Sequence, residues 1–301
     1  MRNLSLIFYL ALGVTVAYAQ HLITPIIPVK YDKTKATLGK KLFFDTILSS
    51  DNSVSCATCH DIFNGGDDGL SVSYGVENKT GIRNAPTVLN SVFNISQFWD
   101  GRAKNLAEQI QGPIHNPVEM NNDFSTIVQK LSQDKHYKKD FKIYPSGITQ
   151  TSIIDAIVEF EKSLVTPNSR FDKYLKGDFK ALDAQEIQGY KLFQEYGCIS
   201  CHNGINIGGN LYQKIGVMKE YQSSDLGRYE ITHKDDDKYF FKVPSLRNIE
   251  LTAPYFHDGS ANNLQKAVAV MSEYQLGYPL EESEIDTIVK FLKTLTAPLL
   301  D

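Results

Sequence analysis

Tryptophan occurs once in this 301-residue chain, and cysteine and methionine four times each. Basic residues are not in excess: 31 Lys and Arg stand against 35 Asp and Glu, a net charge of −4. A nucleic-acid surface needs a concentrated basic footprint and a polybasic membrane contact needs a basic stripe, so neither partner is expected. Beyond its first twenty residues the chain has no apolar run near the ~20 residues of a membrane-spanning helix. What remains is a globular composition, 42% hydrophobic and 22% charged. Its length suits one large or two smaller domains.

The first segment stands apart. Arg2 gives a positive start, Leu4 to Val16 form an apolar run the length of a signal core, and Ala17-Tyr18-Ala19 supply small residues for cleavage. The expectation is an export signal over residues 1–19, a mature chain from about Gln20, a periplasmic location and no stable membrane insertion. In an oxidising compartment four cysteines suit two disulfides by number alone.

Their spacing points elsewhere. Cys56-Ala57-Thr58-Cys59-His60 and Cys198-Ile199-Ser200-Cys201-His202 are both Cys-x-x-Cys followed at once by His, the attachment pattern of c-type haem. Residues i and i+3 share one face of a helical turn, so two thiols can each bond a haem vinyl group while the adjacent imidazole ligates the iron. A zinc site would place its cysteine pairs about 15–20 residues apart, whereas these lie in different halves of the chain. A thiol-disulfide exchanger has no use for His at both places. Two covalent haems are expected, with Cys56, Cys59, Cys198 and Cys201 as attachment points and His60 and His202 as proximal iron ligands.

The halves also resemble each other. Arg83-Asn84-Ala85-Pro86-Thr87 and Phe98-Trp99-Asp100-Gly101-Arg102 follow the first motif; Pro244-Ser245-Leu246-Arg247-Asn248 and Phe256-His257-Asp258-Gly259-Ser260 follow the second. Helical stripes dominate between them: Phe124, Ile127, Val128, Leu131 behind Asn122-Asp123; Ile153, Ile157, Phe160, Leu164, stopped by Pro167; and Ile285, Ile288, Leu292, Leu295, capped near Ser283. Asp183 and Glu186 form a capping-box pattern ahead of the second haem motif. Long Gly- and Asp-rich stretches at 64–80 and 204–237 read as functional loops. The boundary between the modules is expected within 166–178, where Pro167, Asn168 and Ser169 interrupt the helical pattern.

With these residues in place the chain resembles the bacterial dihaem cytochrome c peroxidase family. The likeness runs from Leu38-Gly39-Lys40-Lys41-Leu42-Phe43-Phe44-Asp45 through Gln97–Arg102 and Val118-Glu119-Met120-Asn121-Asn122 to Pro254-Tyr255-Phe256-His257. The resemblance implies a mainly α fold of two cytochrome c-like domains, 20–166 and 167–301, whose haems face each other across the interface. It implies reduction of hydrogen peroxide by electrons from a small periplasmic cytochrome c or a cupredoxin, and the family often forms homodimers. By the same resemblance Met271 is the distal ligand of the second haem, and a His/Met haem has a raised potential. Glu119 matches the catalytic carboxylate of the first haem, with Gln109 as its polar neighbour. Trp99 matches an electron relay between haems, and Asn84, Thr252 and Pro254 match an interdomain calcium site, for which oxygen ligands are suited. Where many members carry a displaceable distal His, this chain has Val76, which cannot bind iron. The expectation is an open first haem, unless another group of 64–80 or His115 takes that place. His21, His136 and His233 carry no motif and read as surface residues. Two other classes compete: a dihaem electron-transfer cytochrome, and a protein-modifying enzyme of the methylamine-utilisation maturation type, which has Tyr where Met271 stands here.

Overall fold

The computed structural model describes residues 22–298. The expected signal segment 1–19 and His21 lie outside the described residues. The fold is helical: α1 (Lys33–Phe44), α2 (Cys56–Cys59), α3 (Leu106–His115), α4 (Phe124–Gln133), α5 (Lys135–Asp140), α6 (Gln150–Ser163), α7 (Arg170–Leu175), α8 (Ala184–Glu195), α9 (Tyr229–Thr232), α10 (Leu264–Met271) and α11 (Glu282–Lys293). One antiparallel ribbon, β1 (Tyr212–Lys214) with β2 (Phe240–Lys242), interrupts them. No helix among the described residues is long and apolar enough to cross a membrane.

Each module is built on one helix crossing, and a glycine decides how close it comes. A Cβ on Gly39 of α1 would lie 1.9 Å from Ala156 O of α6; one on Gly189 of α8 would lie 2.1 Å from Thr287 O of α11. Glycine costs a helix interior about 1 kcal/mol relative to alanine, so its use at both crossings reflects the backbone approach. Around the first crossing pack Leu42, Ile127, Leu131 and Ile153; around the second pack Phe171, Phe291 and Leu295, all buried.

The expected capping box forms, Asp183 accepting from Glu186 N at 2.9 Å while Glu186 Oε2 accepts from Asp183 N. The last helix is capped two residues before Ser283, at Glu281, because Glu281 and Glu284 make their own capping box. The expected interruption at 166–178 contains α7, nucleated by the Ser169–Asp172 capping box. Asp172 is also the partner of Arg247 (2.7 Å), both buried. Burying such a pair is tolerable only when the remaining polar atoms are satisfied. Arg247 also donates to Ile205 O and Thr24 O, and Ile26 N donates to Asp172. The segment 23–26 is thereby tied into the second core, where Ile23 is fully buried.

Between the modules, Thr166 Oγ1 accepts from Asn90 Nδ2 (2.8 Å) and from Asn248 Nδ2 (2.9 Å). The two asparagines occupy matching places: both have φ near +60°, Asn90 Oδ1 accepts from Thr166 N, and Asn248 Oδ1 accepts from Ala297 N.

Candidate functional site

The second Cys-x-x-Cys-His motif opens on a cavity of about 420 Å³. Cys198, Cys201 and His202 line it, and so does Met271 at the end of α10. The four cysteines form no disulfide with one another. Burial pushes Cys198 up to about 11 and Cys56 up to about 12, so neither is a thiolate suited to disulfide exchange. Burial also pushes His202 down to about 4, keeping the imidazole neutral, the form that ligates a metal. Paired thiols, a neutral imidazole and a thioether on one apolar cavity are the donor set of a c-type haem with two axial ligands.

In the first module α2 carries Cys56 and Cys59. His60 follows as its C-cap, with Nδ1 at 3.1 Å from Gly66 O. Assigning the proton to Nδ1 leaves Nε2 free as the ligating atom. Gln109 lies on α3, and Glu119 on the loop just after it. Asn116 Nδ2 donates to Glu119 Oε1 at 2.6 Å. Burial pushes the Glu119 carboxyl above its ordinary range, opposed by that hydrogen bond and by the Arg102 charge. Arg102 is itself held over the Phe98 ring, 3.5 Å from its centroid.

Val76 is buried, 1% exposed, within the first core. Its N–H donates to Glu119 O at 2.8 Å, and Gly75 has no room for a Cβ because Val118 O would lie 2.2 Å away. The loop that could have offered a distal ligand is thus fastened to the loop of the candidate catalytic carboxylate. His115 is exposed and packs edge-on against Phe124. His136 and His233 are exposed, as expected.

Trp99 belongs to the first half of the chain but lines the cavity of the second motif. Its Nε1 donates to Asn84 O (2.9 Å), its carbonyl accepts from Lys242 N (2.7 Å), and its ring meets His257 at 6.4 Å. Asn84, Thr252 and Pro254 line the same cavity. Asn84 Nδ2 donates to Leu70 O at 2.7 Å, which leaves Oδ1 as a free acceptor, compatible with a calcium ligand. Among the described residues no three His, Cys, Asp or Glu side chains gather as a metal cluster. Neutral oxygen donors would not form one.

The structure also fixes the register of the duplication. Gln97 bridges Ala103 as Tyr255 bridges Ala261; Phe98 and Phe256 both have positive φ, as do Gly101 and Gly259. Asn105 caps α3 through Glu108 N, and Asn263 caps α10 through Lys266 N. One constant shift relates all these pairs. It matches Pro86–Asn90, not Arg83–Thr87, with Pro244–Asn248, correcting the block pairing that the sequence suggested. The same shift sets Trp99 against His257, Gln109 against Ala267, and Pro113 against Met271. A proline cannot bind iron, so helix α3 has no counterpart of the second module's thioether.

Sequence reasoning missed three buried ionisable residues. Burial alone pushes Glu161 up to about 8 and Lys242 down to about 8, and it is the main cause raising Asp67 to about 7. Asp67 and Glu161 Oε2 lack hydrogen-bond partners. The one available signal was a charge placed inside an apolar run, as in Phe240-Phe241-Lys242-Val243.

Residues 33–180 match the family described as di-haem cytochrome c peroxidase. The chain is 47% identical over 280 residues to the cytochrome c551 peroxidase of Nitrosomonas europaea, covering 90% of this chain and 84% of that one. It is 46% identical to the cytochrome c551 peroxidase of Pseudomonas aeruginosa, covering 86% and 78%. Among solved structures it is similar to a MauG-like protein associated with microbial copper homeostasis, with TM-score 0.81, 27% identity, and 94% and 95% of the two chains covered. Paired Cys-x-x-Cys-His motifs on a duplicated helical frame, with Met271 lining the cavity of the second motif and Pro113 at the matching position of the first module, stand beside these likenesses: the chain belongs to the di-haem cytochrome c peroxidase family.

Proposed function

We propose that the chain reduces hydrogen peroxide to water in the periplasm, taking electrons singly from a small cytochrome c or cupredoxin. The balance is one peroxide, two electrons and two protons to two waters. Cys198, Cys201, His202 and Met271 would hold the haem at which electrons enter, Cys56, Cys59 and His60 would hold the peroxide-reducing haem, and Trp99 would relay electrons between them. The functional units are residues 20–166 and 167–301, with a calcium ion held between them by Asn84, Thr252 and Pro254.

The observation that carries this reading is the asymmetry of two matched helices: α10 presents Met271, whereas α3 presents Pro113 and Gln109, with Glu119 on the loop that follows. When bound, the first haem supplies the Lewis acidity and the redox chemistry for cleaving the O–O bond. Glu119 moves the proton. Asn116 occupies its Oε1, leaving Oε2 to take a proton from one peroxide oxygen and return it to the other. Gln109 orients the substrate with its side-chain amide. Val76 lies in the core and offers no ligand, so the first site needs no loop movement to admit peroxide.

The test is peroxide-dependent oxidation of a reduced small cytochrome c, following the first turnovers of fully oxidised enzyme and of enzyme given one electron per molecule. Equal, immediate activity is expected. Activity only after the electron is supplied would reveal another closing ligand, and none in either state would leave an electron-transfer cytochrome.

A further inference from the structure

Lys242 is the one buried cationic side chain on the wall of the second cavity; Lys214, also on that wall, is exposed. Lys242 is 6% exposed. No carboxylate or carbonyl among the described residues pairs with its Nζ. Its backbone is held on two sides, by the ribbon register Tyr212↔Lys242 and by the hydrogen bond from its N–H to Trp99 O. Its strand neighbours are apolar and fixed: Phe241 stacks on His257 at 4.1 Å, and Val243 is buried. The backbone therefore keeps the root of this side chain on the cavity wall.

Burial pushes this ammonium down to about 8, so it is still mostly charged at neutral pH. A buried, unpaired charge costs several kcal/mol. The carboxylates nearby are engaged elsewhere: Asp225 pairs with Arg83, and Asp100 with Arg83 and Arg102. The partner that completes Lys242 must come from the occupant of the cavity, and a haem brings two propionate carboxylates.

We propose that Lys242 is the propionate anchor of the second haem, its Nζ pairing with one propionate carboxylate at the Trp99 wall and raising that haem's reduction potential. Reduction adds an electron to the haem, and a fixed cation beside it favours the reduced form. Lys242 is thus a positioning residue for electron entry. The inference rests on the reading that a haem attached at Cys198 and Cys201 fills this cavity.

The experiment uses the two-haem protein and Lys242→Met, Lys242→Gln and Lys242→Arg. Haem adducts are counted by intact mass, and both haem potentials are titrated spectroelectrochemically. Met and Gln are expected to lower the second haem's reduction equilibrium constant at least tenfold, 59 mV for one electron, with the first haem unchanged within twofold. Arg is expected to keep the second haem within about threefold. In the unsubstituted protein, the resonance-Raman propionate bending band of the second haem is expected to shift on transfer from H2O to D2O. Full haem loading with an unmoved potential in both neutral variants overturns the proposal. If those variants do not fold, an unshifted propionate band overturns it. A single haem adduct in the unsubstituted protein overturns the underlying reading instead, and it appears without any mutation.

Discussion

Helix α3 of the first module and helix α10 of the second start from the same asparagine cap, after the same turn with positive φ at phenylalanine and glycine. At matched positions one presents Gln109 and Pro113, the other Ala267 and Met271. The backbone duplication supplies two equivalent frames, and on the proposed reading a few side chains on one helix and the loop after it separate a site open to substrate from one closed for electron transfer. Similar contrasts recur elsewhere. The crossing of α1 with α6 matches that of α8 with α11, yet the position of buried Glu161 in the first corresponds to Leu292 in the second.

The sharpest way to break the asymmetry is at its chemistry. Glu119→Gln should lower kcat/KM for peroxide by about 10²–10⁴-fold, while stopped-flow reduction of the second haem by a donor cytochrome stays unchanged. In the unsubstituted enzyme the acid limb of kcat/KM should lie above the ordinary carboxylate range, since burial raises Glu119 and only its ionised form accepts the proton.

The second test concerns Glu161, whose carboxyl sits near 8 in the folded protein against 4.5 ordinarily. A raised carboxyl favours folding below its ordinary value, and that contribution is lost as pH rises from 4.5 toward 8. The slope reaches about 1.4 kcal/mol per pH unit. Denaturant titrations at pH 5 and pH 8 should show Glu161→Gln gaining stability over the parent as pH rises, and Leu292→Val showing no such pH dependence.

Where the modules are alike, their mutants should be alike. Gly39→Ala and Gly189→Ala each drive a methyl into a facing carbonyl and should each cost about 1–3 kcal/mol by overpacking, read as thermal unfolding midpoints lowered by similar amounts. The smallest effect is expected for Thr166→Ser, with Thr166→Val as its contrast. Serine keeps the accepting hydroxyl; valine leaves Asn90 and Asn248 donors unpaired, about 1–3 kcal/mol for each group, measurable by equilibrium unfolding.

Much of this was legible in the sequence because its signals are local. The haem motifs, the Asp183–Glu186 capping box and the stripes of α4, α6 and α11 each depend on residues a few positions apart. The α7 helix was missed because Pro167 and Asn168 announce a break, while what stabilises it, Asp172 meeting Arg247, is a contact between distant segments. The register of the duplication was misjudged for a related reason. Arg83-Asn84 and Arg247-Asn248 look alike, but positive φ, not side-chain identity, marks Asn90 as the match of Asn248. Lys242 and Glu161 were invisible as site residues because burial is a property of the packed chain.

The shared hydroxyl of Thr166 has a consequence for electron transit. Its two lone pairs are committed to one asparagine from each copy, at a point where the chain passes from one copy to the other. Any rotation of the copies would stretch both bonds together, so the joint acts as a locked fulcrum. On the proposed reading, the spacing between the two haem frames is a dimension of the scaffold that this joint helps to set.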